Sequence, residues 1–120
     1  MPDILAMLFA VLVYFDGVPQ QCVVDTGATY TVLTERAAAQ MGTLSPVVAQ
    51  AQLYGAGGGT ILGQVRYVPN VGTGEIGWSG VSVIVVPNDQ LAGLDCVLGL
   101  DLLKRQSVVF DWGKRELRAL

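Results

Sequence analysis

Short apolar-rich segments, each bounded by Gly, Pro, Asn or Asp, recur along the whole chain. Runs of that length between turn residues read as strands. Phe9 to Phe15 is the first. Asp16-Gly17 is a strong two-residue hairpin signal, and Val18 to Val24 returns as the second strand. Tyr30 to Leu33 follows. Val47 to Tyr54 and Thr60 to Val68 flank the run Gly55-Ala56-Gly57-Gly58-Gly59. Pro69-Asn70 and Gly72-Thr73-Gly74 are turn chemistry. Val81 to Val86 is a strand stopped by Pro87-Asn88-Asp89, and Trp78 just ahead of it reads as a core or edge anchor. Gln90 to Leu94 is loop. Asp95 to Leu98 is a strand ending at Gly99. Ser107 to Phe110 and Glu116 to Leu120 are strands joined by a turn at Asp111-Trp112-Gly113.

Helix signals are confined to two places. Thr34 reads as an N-cap, Glu35 sits favourably in the first turn, Ala37-Ala38-Ala39 propagate, and Gly42 is the stop. Asp101 is placed to cap a one- or two-turn helix through Gln106. Lys104 and Arg105 in its last turn either complement the helix dipole or simply face solvent. The pattern predicts an all-β fold with one or two short helices. The 120 residues, 1-120, make a single domain with no internal repeat.

Composition narrows the function. Apolar residues make up 52% of the chain, charged ones 14%, and the mean hydropathy is +0.50. So small a core has little room for that much apolar surface. Subunit association would bury the excess; an over-full core is the alternative. The net charge of −3 gives no basic footprint, so no nucleic-acid partner is expected. There is no His, which removes His-based zinc sites and Ser-His or Cys-His nucleophile pairs. Neither a metal nor a cofactor is expected, and carboxylates remain as the acid-base groups. The apolar run Ile4 to Val13 is about half a membrane span and lacks a basic leader, since Asp3 precedes it. It reads as strand, and no membrane span is expected. Nothing assigns a compartment: the chain reads as cytoplasmic or as a soluble domain of a longer protein.

The chemistry concentrates in Cys22-Val23-Val24-Asp25-Thr26-Gly27-Ala28-Thr29-Tyr30-Thr31-Val32-Leu33. An apolar strand delivers an acid into a tight turn that Gly27 permits, leaving the following amides free to donate to the Asp25 carboxylate. An ordinary Asx-turn would use the same residues. Asp-Thr-Gly arises by chance in roughly 1% of chains this long at average residue frequencies, so its setting decides. The setting is Val23-Val24-Asp25-Thr26-Gly27-Ala28 early and Val97-Leu98-Gly99-Leu100-Asp101-Leu102-Leu103 late. Together these resemble the retropepsin-like aspartic proteases, closest to the single-motif members of bacteria and of the DNA-damage-inducible type.

The resemblance implies a closed, barrel-like acid-protease fold and an aspartic endopeptidase that hydrolyses peptide bonds in peptide or protein substrates. Asp25 would be catalytic, with Thr26, Gly27 and Ala28 supporting its loop and Val97, Leu98 and Gly99 packing around it. The glycine-rich hairpin Tyr54, Gly55, Ala56, Gly57, Gly58 would be a flap over the substrate; a floppy turn is the plainer reading. Asp-Thr-Gly occurs once in the chain, and the chemistry needs two facing carboxylates. A homodimer is therefore implied, with Asp25 of each subunit at the two-fold axis. A catalytically inactive peptide-binding or dimerisation module is the alternative function. Retroviral members commonly pair an acid after the first motif with a base after the second glycine. Thr29 and Leu100 stand there instead, so that ion pair is absent. If the two motif loops are neighbours, Cys22 and Cys96 could approach each other. Buried free thiols, behaving as small hydrophobes, are the expectation.

Overall fold

The computed structural model describes residues 8–54 and 58–120. Strands β1 (Ala10–Phe15) and β2 (Val18–Val24) form the expected hairpin, with Phe15 opposite Val18. Asp16 and Gly17 both take positive φ, 50° and 88°, as a tight turn matched to strand twist requires. β3 (Val32–Thr34) leads straight into α1 (Glu35–Ala38). Thr34 caps this helix by accepting the Ala37 N–H on its hydroxyl, as its position predicted. The helix stops before Gly42, because Gln40 and Met41 already bond three residues back, to Ala37 and Ala38. That tightening ends an α-helix.

β4 (Ala49–Tyr54) and β5 (Thr60–Thr73) form one hairpin, and β5 with β6 (Ile76–Val86) a longer one. Both β5 and β6 run further than the sequence suggested. The ladder pairs Val68 with Val81 and Asn70 with Ser79. Between those pairs Pro69, which has no N–H to give, stands opposite Gly80 at φ 60°. A proline at an interrupted rung leaves the strand intact. The reversal comes only at Gly74 and Glu75, so Trp78 lies inside β6, buried, its indole N–H donating to Leu102 O.

β7 (Cys96–Leu98), α2 (Leu100–Leu103), β8 (Val108–Asp111) and β9 (Glu116–Ala119) complete the chain. α2 is shorter than expected and starts at Gly99, without a side-chain cap. Asp101 lies in its first turn rather than at its N-cap.

The main sheet has the order β1-β2-β7-β3-β6-β5-β4, and β1 also pairs with β5. Six strands thus close on themselves, and β4 extends from the ring as the outer arm of its hairpin. Inside lies a core of Phe15, Leu33, Leu98, Leu102, Leu117 and many valines. Strand alternation turns Val32, Ile84 and Val86 to a second, smaller apolar cluster, against which Leu53, Ile61 and Leu91 pack. β8 and β9 form a separate hairpin. Phe110 of β8 stacks on Phe9, with ring centroids 5.2 Å apart.

One expectation is corrected. Cys22 and Cys96 are joined as a disulfide, fully buried, across 74 residues of sequence. β2 and β7 are parallel neighbours, pairing Val23 with Val97 and Val24 with Leu98. That register sets Cys22 beside Cys96, with Cα atoms 4.6 Å apart, within bridging reach.

Candidate active site

Asp25 follows the last residue of β2. The neighbouring strand β7 and the turn itself fix its backbone on either side. Its N–H donates to Leu98 O at 3.0 Å, and its carbonyl accepts the Ala28 N–H at 3.1 Å. The Gly27 N–H then donates to Asp25 Oδ1 at 2.8 Å. A Cβ on residue 27 would sit 3.2 Å from that oxygen, so glycine allows the amide its close approach. The carboxylate is held, yet the residue is exposed, free to meet something from outside.

The second motif forms the other side of the loop. β7 lies between β2 and β3, parallel to the first and antiparallel to the second. Val97 pairs with both Val23 and Val32. Leu98 is fully buried behind Asp25. At Gly99 any side chain would collide with the Tyr30 carbonyl group. That close approach lets Leu100 N–H reach Ala28 O at 2.8 Å and Asp101 N–H reach Thr29 O at 3.1 Å. The two motifs read separately in the sequence are therefore one bonded unit.

Asp25 opens into a cavity of about 700 Å³. Its walls are mostly apolar: Val32, Val86 and Val97 below, Leu53 and Ile61 from the β4–β5 arms, and Leu91 from the loop after β6. Gln52 and Gln90 add uncharged polar groups. Among the described residues that line it, Asp25 alone carries a charge. Gly27 and Ala28 also line it; Thr26 is exposed beside them. Apolar walls around one fixed carboxylate can hold apolar side chains of a substrate next to an acid-base group.

Tyr54 is on the cavity wall and 81% exposed, at the end of β4 where it pairs with Thr60. Gly58 follows with φ 86°. Gly55, Ala56 and Gly57, the middle of the expected flap, lie outside the described residues. The arms are pinned at their base, where a side chain on Gly63 would collide with Ile84.

The acid, its loop and the second motif, singled out in the sequence, lie side by side in the structure, with Asp25, Gly27, Ala28 and Val97 on the cavity wall. Sequence reading missed Leu53, Ile61, Val86 and Leu91 as walls. They sit in ordinary apolar runs, and only the ring closure turns them toward one cavity. No group of His, Cys, Asp or Glu able to hold a metal occurs among the described residues. No helix among them is long and apolar enough to cross a membrane.

A family profile described as "gag-polyprotein putative aspartyl protease" matches residues 11–105. No curated protein matches the chain. Among solved structures, the EIAV protease complexed with the inhibitor HBY-793 is similar at 18% identity and a TM-score of 0.66, over 80% of this chain and 85% of that one. The retroviral protease-like domain of Ddi1 from Leishmania major is similar at 21% identity and a TM-score of 0.65, over 93% and 87%. A retropepsin-like aspartic protease from Rickettsia conorii is similar at 21% identity and a TM-score of 0.61, over 90% and 77%.

Proposed function

Because the chain belongs to the gag-polyprotein aspartyl protease family, we propose that it is an aspartic endopeptidase, built from two copies and hydrolysing peptide bonds. The observation that carries this reading is the Asp25 carboxylate. It is fixed by the Gly27 amide and exposed in an apolar cavity that brings no second charge of its own.

Such hydrolysis needs one ionised and one neutral carboxyl group. A two-fold dimer supplies them as the Asp25 side chains of two subunits on the axis. Two like charges that close cannot both ionise readily, so the pair shares a proton. Its titration then belongs to the pair. The ionised member takes a proton from water as the water oxygen attacks the scissile carbonyl carbon. The neutral member gives its proton to the carbonyl oxygen. As the tetrahedral diol collapses, the carboxylate that is now ionised takes a diol hydroxyl proton, the carboxyl that is now neutral protonates the nitrogen, and the C–N bond breaks to release acid and amine.

The other roles follow from the family resemblance. The Thr26 hydroxyl bonds across the axis and stiffens the partner loop. Gly27 and Ala28 keep the loop small beside the substrate. Val97, Leu98 and Gly99 support it from behind. Tyr54 with Gly55, Ala56, Gly57 and Gly58 is the flap we propose, closing over the bound peptide and shutting out bulk solvent while the attacking water stays inside. The exposed apolar side chains Leu12, Tyr14, Leu62 and Leu100 fit a chain that associates.

Incubation with a mixed peptide library tests the proposal. The wild-type chain is expected to cleave, with inhibition by a statine-type transition-state analogue. Asp25→Asn should abolish cleavage while the dimer persists in sedimentation. Turnover retained by that variant would refute the mechanism. Binding of peptides without any cleavage would instead identify an inactive binding module.

A further inference from the structure

The ion pair that retroviral members place between the two motifs is missing here, with Thr29 and Leu100 at those positions. A different polar connection occupies the same junction. Thr31, fully buried, donates from its hydroxyl to Asp101 Oδ1 at 2.8 Å. The same hydroxyl accepts the Gly99 N–H at 3.1 Å. Asp101 Oδ1 also accepts the Leu102 N–H at 2.9 Å. Among the described residues the other bonds from α2 to this segment are backbone to backbone: Leu100 to Ala28 and Asp101 to Thr29. The Thr31–Asp101 pair is thus the side-chain clasp between α2 and the segment that carries the Asp25 turn into β3.

We infer that Thr31 and Asp101 are positioning residues, holding the 28–29 wall of the cavity and, through the bond from Ala28 N–H to the Asp25 carbonyl, the turn that carries the carboxylate. The inference rests on the protease reading. Its logic is one of satisfaction. A buried hydroxyl that both donates and accepts fixes two chain segments at once, and removing it strands the Gly99 N–H away from water. Asp101 was placed by sequence reading at a helix cap. Its carboxylate instead reaches across to Thr31 while bonding one amide of its own helix, so one side chain orders both motifs.

The test uses the full chain, a peptide cleaved by the wild type, and active sites counted by titration with the transition-state analogue. Thr31→Val removes both hydroxyl bonds at nearly constant volume, and Asp101→Ala removes the acceptor. Each removes two hydrogen bonds and should lower kcat by about tenfold or more, with KM within about twofold. Thr31→Ser and Asp101→Asn keep the donor and the acceptor and should restore most of the rate. A second readout does not need activity. Amide hydrogen exchange at Gly27 and Ala28 should quicken in Thr31→Val and Asp101→Ala, while Val81 and Val83 in β6 keep wild-type protection. Should Thr31→Val fail to fold, Asp101→Ala, which leaves the Gly99-to-Thr31 bond in place, decides. Wild-type kcat in Asp101→Ala, or unchanged exchange at Gly27 and Ala28, would overturn the inference. A wild-type chain that cleaves nothing would overturn the protease reading instead, and the exchange result alone would then judge the clasp.

Discussion

Asp95 illustrates how one side chain can secure a helix to a sheet. Its Oδ1 accepts the buried Thr34 hydroxyl at 2.7 Å and the Arg36 guanidinium at 2.9 Å. The Thr34 hydrogen bond, above all, holds its carboxyl below the usual range; partial burial opposes this, and the Arg36 bond and charge assist. A carboxylate depressed in the folded state favours folding above its unfolded pKa. That contribution is lost as pH falls through the folded value. Asp95→Asn should therefore narrow its stability gap to wild type as pH drops below about 4. Arg36 and Asp95 are both well exposed, so their charge attraction adds little. Removing the carboxyl with Asp95→Ala should cost about 1–2 kcal/mol at pH 7, because the buried Thr34 donor loses its partner. Urea midpoints at pH 7 and pH 3 check both; a gap that is the same at the two pH values would refute the linkage. None of this pairing was legible in the sequence, since Thr34 and Asp95 stand 61 positions apart.

At the scale of elements, the Asp25 loop is braced by strands as well as by its own turn. β7 inserts between β2 and β3, and the Cys22–Cys96 disulfide ties β2 to β7 three residues behind the acid. Closing a loop of this length restricts the unfolded chain, a contribution of about 4 kcal/mol in the chain-entropy account. Equilibrium unfolding in urea should show it: a strong reductant is expected to lower stability by up to about that amount. Equal midpoints with and without reductant, or two thiols titrating in denatured, unreduced protein, would exclude the bridge. Free thiols were the sequence expectation, because a buried free Cys behaves as a small hydrophobe and a bridge required the two motif loops to be neighbours. Only the parallel register of β2 and β7 makes them neighbours. The long β5–β6 hairpin was misread for a related reason. Pro69 and Gly72 signal turns locally, and cross-strand pairing overrode that preference.

For the whole molecule, ring closure shapes the candidate site. The β1–β5 pairing completes the barrel and leaves the second apolar cluster opening toward Asp25 rather than sealed inside. If the catalytic pair spans two subunits, activity depends on concentration. Specific activity should fall as the protein is diluted through its dimer dissociation range, and sedimentation at the same concentrations locates that range. Constant activity per subunit across a demonstrated monomer–dimer transition would refute the two-copy site.

By itself the sequence determined what is local. Asp25-Thr26-Gly27 needs only adjacent residues to build a turn around a carboxylate, Asp16-Gly17 only its own φ angles, and Thr34 only the next helical turn. The tertiary structure decided what depends on residues brought together from far along the chain. Cys22 met Cys96, Thr31 met Asp101, and Leu53, Ile61 and Leu91 came to face one cavity. Strand order and register are set by burial summed over the entire ring, and no short stretch of sequence contains that sum.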